Sequence, residues 1–270
     1  MKILQYLIHK LLEFNNVLQI DRRITVNPIL ASPLFMISIF TLYLLIVRKW
    51  GPKYMENRKP FNVDGLMKLY NFVQILLNAF ILYEGVRYSY LRPDYSLTCE
   101  GYNPDDMRPM TLKGARPVYL YHLSKYMDLL DTIFFLLRKK FNQISFLHVY
   151  HHAGMLVGTY LYISKSFGSH LSLIGVINSF IHVVMYTYYL AAAMKLNIDL
   201  MAWKKRVTMM QIIQFIILAF HQSLPLINNP CNMSKQIVLF SVSQCIFMLI
   251  LFSNFYYQTY IRSAKKIKSK

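Results

Sequence analysis

"QIVLFSVSQCIFMLILFSNFYY", residues 236–257, runs for 22 positions without a charged side chain. At about 1.5 Å per residue such a run makes a helix of roughly 33 Å, close to the ~30 Å hydrocarbon core of a bilayer. Working outward from it, six more stretches read the same way: 29–47, 66–85, 117–137, 144–163, 171–193 and 207–226. Hydrophobic residues make up 55% of the 270, enough for seven spans. Backbone groups in lipid must bond within their own segment, and the chain lacks the short alternating strands of a barrel. The expected fold is therefore an all-α integral membrane protein with seven transmembrane helices.

The first 28 residues differ in pattern. In "MKILQYLIHKLLEFNNV", Ile3, Leu4, Leu7, Leu11 and Leu12 recur at helical spacing while Lys2, Gln5, Lys10 and Glu13 fill the other side, as in an interfacial helix. A cleaved signal peptide fits less well, because Gln5, His9 and Lys10 interrupt the apolar region. The expected organisation is an interfacial segment at 1–28, a seven-helix membrane domain at 29–259 and a basic tail at 260–270. No internal repeat, second soluble domain or low-complexity linker is evident.

The formal charge of +18 would suit a nucleic-acid binder, but the basic residues sit in short loops beside spans, where the positive-inside bias accounts for them. Residues 48–59, 138–140, Lys195 with 204–206, and the tail from Arg262 hold 17 Lys and Arg on one side, against 11 on the other. This places the carboxyl terminus in the cytosol and the amino terminus on the opposite face. Cys99 and Cys231 then fall in non-cytosolic loops, where a disulfide is permitted and two separate thiols are the alternative. Asn232-Met233-Ser234 is a glycosylation sequon in the same loop as Cys231. Cys245, mid-span among Phe, Ile and Leu, reads as a buried inert thiol.

An ionisable side chain inside a span costs on the order of 3 kcal/mol and needs a polar interior to face. Four spans carry polar sets. "KYMDLLDT" places Lys125, Asp128 and Thr132 on one helical face with Asp131 beside it, and a Lys-Asp pair at i, i+3 can also neutralise itself. "SFLHVYHHAG", residues 145–154, places His148, His151 and His152 on one face. "NSFIHVVMYTYY" aligns Asn178, His182, Met185 and Tyr189, and "TMMQIIQ" supplies Thr208, Gln211 and Gln214. In the topology above all four sets lie between mid-membrane and the cytosolic surface, so four helices are expected to line one pocket there.

A His-x-x-His-His spacing allows metal ligation, and the di-iron desaturases and hydroxylases of membranes use boxes of this kind. Those enzymes draw on about eight clustered histidines, whereas His9, His122, His170, His182 and His221 are scattered singly here. No metal is expected. Imidazole without metal titrates near neutral pH, takes and gives protons, and attacks a thioester to carry its acyl group. A cysteine nucleophile is disfavoured because no cysteine falls in the polar sets.

Taken in order, "KYMDLLDT", "HVYHH", "NSFIHVVMYTYY" and "TMMQIIQ" resemble the signature boxes of the very-long-chain fatty acid elongase family, and "GPKYMENRKPF" after the first span is similar to that family too. The resemblance runs from about residue 25 to the tail. It implies a 3-oxoacyl-CoA synthase, the condensing step of microsomal chain elongation, taking a long-chain acyl-CoA and malonyl-CoA to 3-oxoacyl-CoA, CO2 and CoA with no cofactor. It implies six helices enclosing an acyl-chain tunnel, commonly in a homodimer, working beside the other elongation-cycle enzymes. His151 would take the acyl group, with His148 and His152 orienting it and handling protons, and Asn178 and His182 at the same centre. Lys125, Asp128, Asp131 and Thr132 would brace the site, joined by Tyr186, Tyr189, Gln211 and, behind it, Gln214. The family usually has Glu where Asp128 stands.

The basic Lys204, Lys205 and Arg206 stand where they would meet CoA phosphates, although topology charge explains them equally. In "KKIKSK", Lys266 and Lys268 fit a retrieval signal of the endoplasmic reticulum, the expected location of this multi-pass protein. Two other classes stay open at this point: a di-iron desaturase or hydroxylase, and a seven-helix receptor or transporter.

Overall fold

A computed structural model describes residues 5–6, 19–24 and 32–262. Most of the interfacial segment and the retrieval residues Lys266 and Lys268 lie outside them. Among the described residues the chain is entirely helical, with seven long helices. Helix α1 runs Pro33–Leu45, passes through a π-helical stretch at Ile46–Trp50 and continues as Gly51–Met55. It is followed by α2 (Asp64–Tyr88), α3 (Pro109–Leu137), α4 (Phe146–Lys165), α5 (Ser172–Ala193), α6 (Leu200–Ile227) and α7 (Lys235–Tyr256, ending in π-helical Tyr257–Arg262).

Five of these, α1, α2, α5, α6 and α7, are long and apolar enough to cross a membrane. The two that are less apolar, α3 and α4, hold Lys125, Asp128, Asp131 and the three clustered histidines, so the side chains that dilute them are the candidate site itself. Exposed surface supports the membrane assignment. Leu239, Phe240, Ile246 and Ile250 on α7, and Ile213, Ile216, Ile217 and Phe220 on α6, are all exposed. In water rows of this kind would be a liability, whereas lipid tails solvate them without cost. The protein is a multi-pass membrane protein.

Several boundaries differ from the sequence expectation for local reasons. Helix α6 starts at Leu200 and not at 207, because the Asp199 carboxylate accepts from the Ala202 amide at 2.9 Å and caps the first turn. Lys204, Lys205 and Arg206 therefore lie on a helix instead of a loop. Helix α3 starts at Pro109, where a missing N–H is harmless, and runs through Pro117. Between α5 and α6, Lys195 takes a left-handed φ of 56° and ends the helix without a glycine.

The chain forms two compact units. The first comprises the described residues up to 62 together with 103–167 and so holds α1, α3 and α4. Its core is built from Met36, Tyr43 and Val47 of α1, Leu129 of α3, and Val149, Ala153, Leu156 and Tyr160 of α4. Gly51 is tightly enclosed: a Cβ there would stand 2.6 Å from the Ile46 carbonyl oxygen of its own helix and 2.8 Å from a Leu136 methyl of α3. Gly51→Ala is expected to destabilise this unit by about 1–3 kcal/mol through overpacking, measured as a lower unfolding temperature in detergent. Residues 19–24 dock on the same unit, with Asp21 donating its amide to the Ile163 carbonyl at 3.0 Å and pairing with Arg23 at 2.6 Å in full burial. In the adjoining loop the Arg108 guanidinium bonds Asp106 at 2.7 Å and holds its carboxyl far below the usual carboxylate range.

The second unit comprises residues 63–102 and the described residues from 168 onward, holding α2, α5, α6 and α7. Helix α2 packs along α5, and α6 packs against α5 and α7. Gln222 of α6 and Ser241 of α7 hydrogen-bond across their seam, a way for neighbouring spans to register where lipid offers no hydrophobic drive. At one end Cys99 and Cys231 form a disulfide with Cα atoms 5.6 Å apart, and Gly101 lies so close that a Cβ would meet the Cys231 carbonyl at 2.7 Å. Asn232 of the sequon is exposed in this loop at φ 52°, while Cys245 is buried and free.

The same end corrects the reading of scattered histidines. His170 and His221, 51 positions apart, stack with ring centroids 3.9 Å apart and planes within 13°. His170 Nε2 donates to the His221 carbonyl at 2.8 Å, and His221 Nε2 donates to the Leu97 carbonyl at 3.1 Å. Burial pushes the His170 imidazole below its ordinary 6.5, opposed by its bond to that carbonyl. A depressed histidine pKa means the folded loop holds the neutral ring, so its stability is full above 6.5 and declines as pH falls below it. Acidification from about pH 7.5 to about 5.5 is expected to speed reduction of Cys99–Cys231 by a water-soluble phosphine, relative to a peptide disulfide in the same tube.

Candidate active site

In the first unit the site is built on α3 and α4. Ser145 caps α4 by accepting from the His148 amide at 3.2 Å, which sets the helical phase of the turn that follows. That phase brings the rings of His148 and His152 to 4.2 Å and those of His151 and His152 to 5.5 Å, the latter edge to face. The expected three-histidine face is thus a contiguous cluster. Helix α3 supports it from the side: Thr132 Oγ1 lies 2.9 Å from His148 Nε2, and Tyr43 of α1 reaches the same hydroxyl at 3.0 Å.

One turn earlier on α3, the Lys125 ammonium donates to Asp128 at 3.0 Å, both side chains 4% exposed or less. Charges so buried persist only when paired, and the ammonium also stands 4.6 Å over the Tyr121 ring. Asp131 is half-buried on the next position of the helix surface. His122, solitary in the sequence, bonds Thr159 of α4 at 2.9 Å among the rings of Tyr126 and Tyr160. It ties α3 to α4 farther along the pair.

In the second unit α5 buries Asn178, His182 and Tyr186 on one face. The His182 ring meets Tyr186 edge on at 5.6 Å, and Tyr186 meets Tyr189 at 5.8 Å. Helix α6 brings the Gln211 amide within 3.8 Å of the Met185 sulfur, a weak contact that orients Gln211 toward α5. Gln214 is buried and its Oε1 has no partner among the described residues. Thr208 donates to the Lys204 carbonyl at 3.0 Å and lies 3.4 Å from Tyr260 Oη at the end of α7. Lys205 and Arg206 are exposed and Lys204 is half-buried.

A polar stripe on α2 escaped the sequence reading. Tyr70, Gln74 and Asn78, four apart, are buried against α5. Gln74 Nε2 donates to Tyr70 Oη at 2.9 Å and lies 3.4 Å from Tyr186 Oη, while Asn78 Nδ2 donates to the Gln74 carbonyl at 2.8 Å. The two tyrosine hydroxyls are 3.2 Å apart. This network fixes Tyr186 beside His182, and its signal was a period of four polar positions inside an otherwise apolar run.

Among the described residues no three His, Cys, Asp or Glu side chains converge in an arrangement that would hold a metal ion. The candidate residues are imidazole, amide and phenol groups and, in the first unit, the Lys125–Asp128 ion pair, in largely buried surroundings. Such groups exchange protons, attack carbonyl carbon and donate hydrogen bonds to developing oxyanions.

Comparison with known proteins agrees with the order of boxes. The family described as ELO, GNS1/SUR4, matches residues 28–268. Very long chain fatty acid elongase 7 of Drosophila melanogaster is 35% identical over 250 residues, covering 92% of this chain and 75% of that protein. Elongase 4 of Mus musculus is 40% identical over 243 residues, covering 89% and 76%, and elongase 1 of Homo sapiens is 35% identical over 248 residues, covering 91% and 88%. These relatives give no support to the desaturase or hydroxylase alternative. With a family match over nearly its whole length, the chain belongs to the ELO (GNS1/SUR4) family.

Proposed function

We propose that this protein is a condensing enzyme of fatty acid elongation, a 3-oxoacyl-CoA synthase that joins a long-chain acyl-CoA to the two-carbon unit of malonyl-CoA. The observation that carries this reading is the contiguous cluster of His148, His151 and His152, buttressed by Thr132, in a chain of this family. In the proposed reaction a nitrogen of His151 attacks the thioester carbonyl. The C–S bond breaks, CoA leaves as the thiol with the imidazole proton, and the acyl group stays on His151.

Malonyl-CoA then loses CO2, and the electron pair of the broken C–C bond becomes an enolate without a strong base. The enolate carbon attacks the acyl carbonyl, the C–N bond breaks, and His151 recovers its electron pair. The sum is acyl-CoA, malonyl-CoA and one proton going to 3-oxoacyl-CoA, CO2 and CoA. His182 and Asn178 are assigned to the carbonyl oxygens, with Tyr186 and Tyr189 beside them. Gln211 and Gln214 support them, and Lys125, Asp128 and Asp131 brace the histidine helix. The exposed Lys205 and Arg206, with Lys204, suit the phosphates of CoA. The setting assigned to this chemistry is the endoplasmic reticulum membrane, with the carboxyl terminus in the cytosol.

The test is purified protein with a long-chain acyl-CoA and malonyl-CoA labelled at C2. A labelled 3-oxoacyl-CoA two carbons longer than the substrate, formed with one CO2 each, is the expected result. CO2 without a longer product, or a product of unchanged length with a new double bond, would overturn the reading.

A further inference from the structure

We propose that Tyr43, on α1, is a positioning residue that sets the tautomer of His148 through Thr132. The three groups form a line, with Tyr43 Oη 3.0 Å from Thr132 Oγ1 and Thr132 Oγ1 2.9 Å from His148 Nε2. A hydroxyl has one proton and two lone pairs; were the fully buried Thr132 to accept from both neighbours, its own proton would have no acceptor among the described residues, so the line runs in one of two directions. In the first, Tyr43 donates to Thr132, Thr132 donates to His148 Nε2, and the neutral ring keeps its proton on Nδ1. In the second, His148 Nε2–H donates to Thr132, Thr132 donates to Tyr43, and the Tyr43 proton needs an acceptor of its own.

The surroundings of Tyr43 decide between them. It is 4% exposed and packed in the apolar core of Met36, Val47, Leu129, Val149, Ala153 and Leu156. Thr132 is its hydrogen-bond partner among the described residues. The second direction strands a phenolic proton in that core, and a buried hydroxyl left without a partner shifts an equilibrium by roughly tenfold or more. The first direction strands nothing. A phenol is also the more acidic hydroxyl and hence the better donor at the head of the line.

The consequence lies at the histidine cluster. With Nε2 occupied as an acceptor, His148 offers an N–H from Nδ1, and the ring is held 4.2 Å from His152. On the functional reading above, on which this part rests, His148 serves as a hydrogen-bond donor to a developing negative charge and not as the resting base. Tyr43 thus acts on the chemistry from a different span, without touching substrate.

The experiment is nitrogen NMR of the full-length protein carrying 15N-histidine, with the His148 signals assigned by their loss in His148→Gln. Proton-bearing and bare ring nitrogens resonate far apart, so the tautomer is read without turnover. Wild type is expected to carry its proton on Nδ1, Thr132→Ser to keep it there, and Tyr43→Phe and Thr132→Val to give a mixture. In the condensation assay Tyr43→Phe is expected to lower kcat by about tenfold with KM unchanged, and to add no further loss to Thr132→Val. A wild-type proton on Nε2, or a Tyr43→Phe spectrum identical to wild type, would overturn the proposal. Losses of Tyr43→Phe and Thr132→Val that simply add would do the same. A protein with the expected spectra that makes no 3-oxoacyl-CoA would leave the relay intact and refute the functional reading instead.

Discussion

Asp128→Ala is expected to lower the stability of the first unit by roughly 3–5 kcal/mol, the usual consequence of removing one partner of a buried ion pair. The substitution leaves the Lys125 ammonium in a site where its side chain is 1% exposed, and an uncompensated charge there either deprotonates or opens the helix contact. Thermal unfolding in detergent measures the loss. Asp128→Glu, which keeps a carboxylate one methylene farther from the helix, is expected to stay near wild type. The double change Lys125→Met with Asp128→Leu removes both charges and is expected to regain most of the stability without regaining activity. That outcome would separate folding from chemistry, because packing tolerates an apolar pair whereas the proposed bracing of the histidine helix requires the charged one. Full activity in the double variant would show that the pair serves the fold alone.

His151→Ala is expected to reduce condensation by on the order of 10²–10⁴-fold or more while leaving the unfolding temperature close to wild type. The expectation rests on position. His151 is half-buried at the edge of the cluster, so its loss opens little volume in the core, in contrast to Leu156 or Tyr160 one and two turns on, which are fully buried. His148→Ala and His152→Ala are expected to lose less if they orient and shuttle protons. Equal losses at all three positions would mean that the cluster acts as a unit and that no one ring is the carrier.

Much of this architecture was legible in the chain because lipid forces helices, and because charged or imidazole side chains in a span announce themselves. Lys125, Asp128 and Thr132, at intervals of three and four, had to share a face, and the structure buries all three. Helix starts were less legible. Asp199 reads as a loop residue until its carboxylate is seen capping Ala202, and Pro117 reads as a helix start although α3 passes through it. Residues acting across long separations were least legible. Tyr43 is 89 positions from Thr132, and a tyrosine in a span raises no alarm by itself. Gln74 and Asn78 are uncharged, so α2 stays apolar enough to span while hiding a polar stripe. His170 and His221 gave no sign of their stacking, because the disulfide loop that accompanies it closes over 132 positions.

The most direct measurement is the intact mass of purified protein after incubation with a long-chain acyl-CoA alone, for wild type and His151→Ala, with the condensation assay run on the same preparation. Acyl transfer to histidine predicts one added acyl mass on wild type, localised to His151, released when malonyl-CoA is supplied and absent from the variant. A preparation that forms 3-oxoacyl-CoA yet never carries the added mass would contradict it, leaving the histidines to act as acids and bases around two substrates bound together.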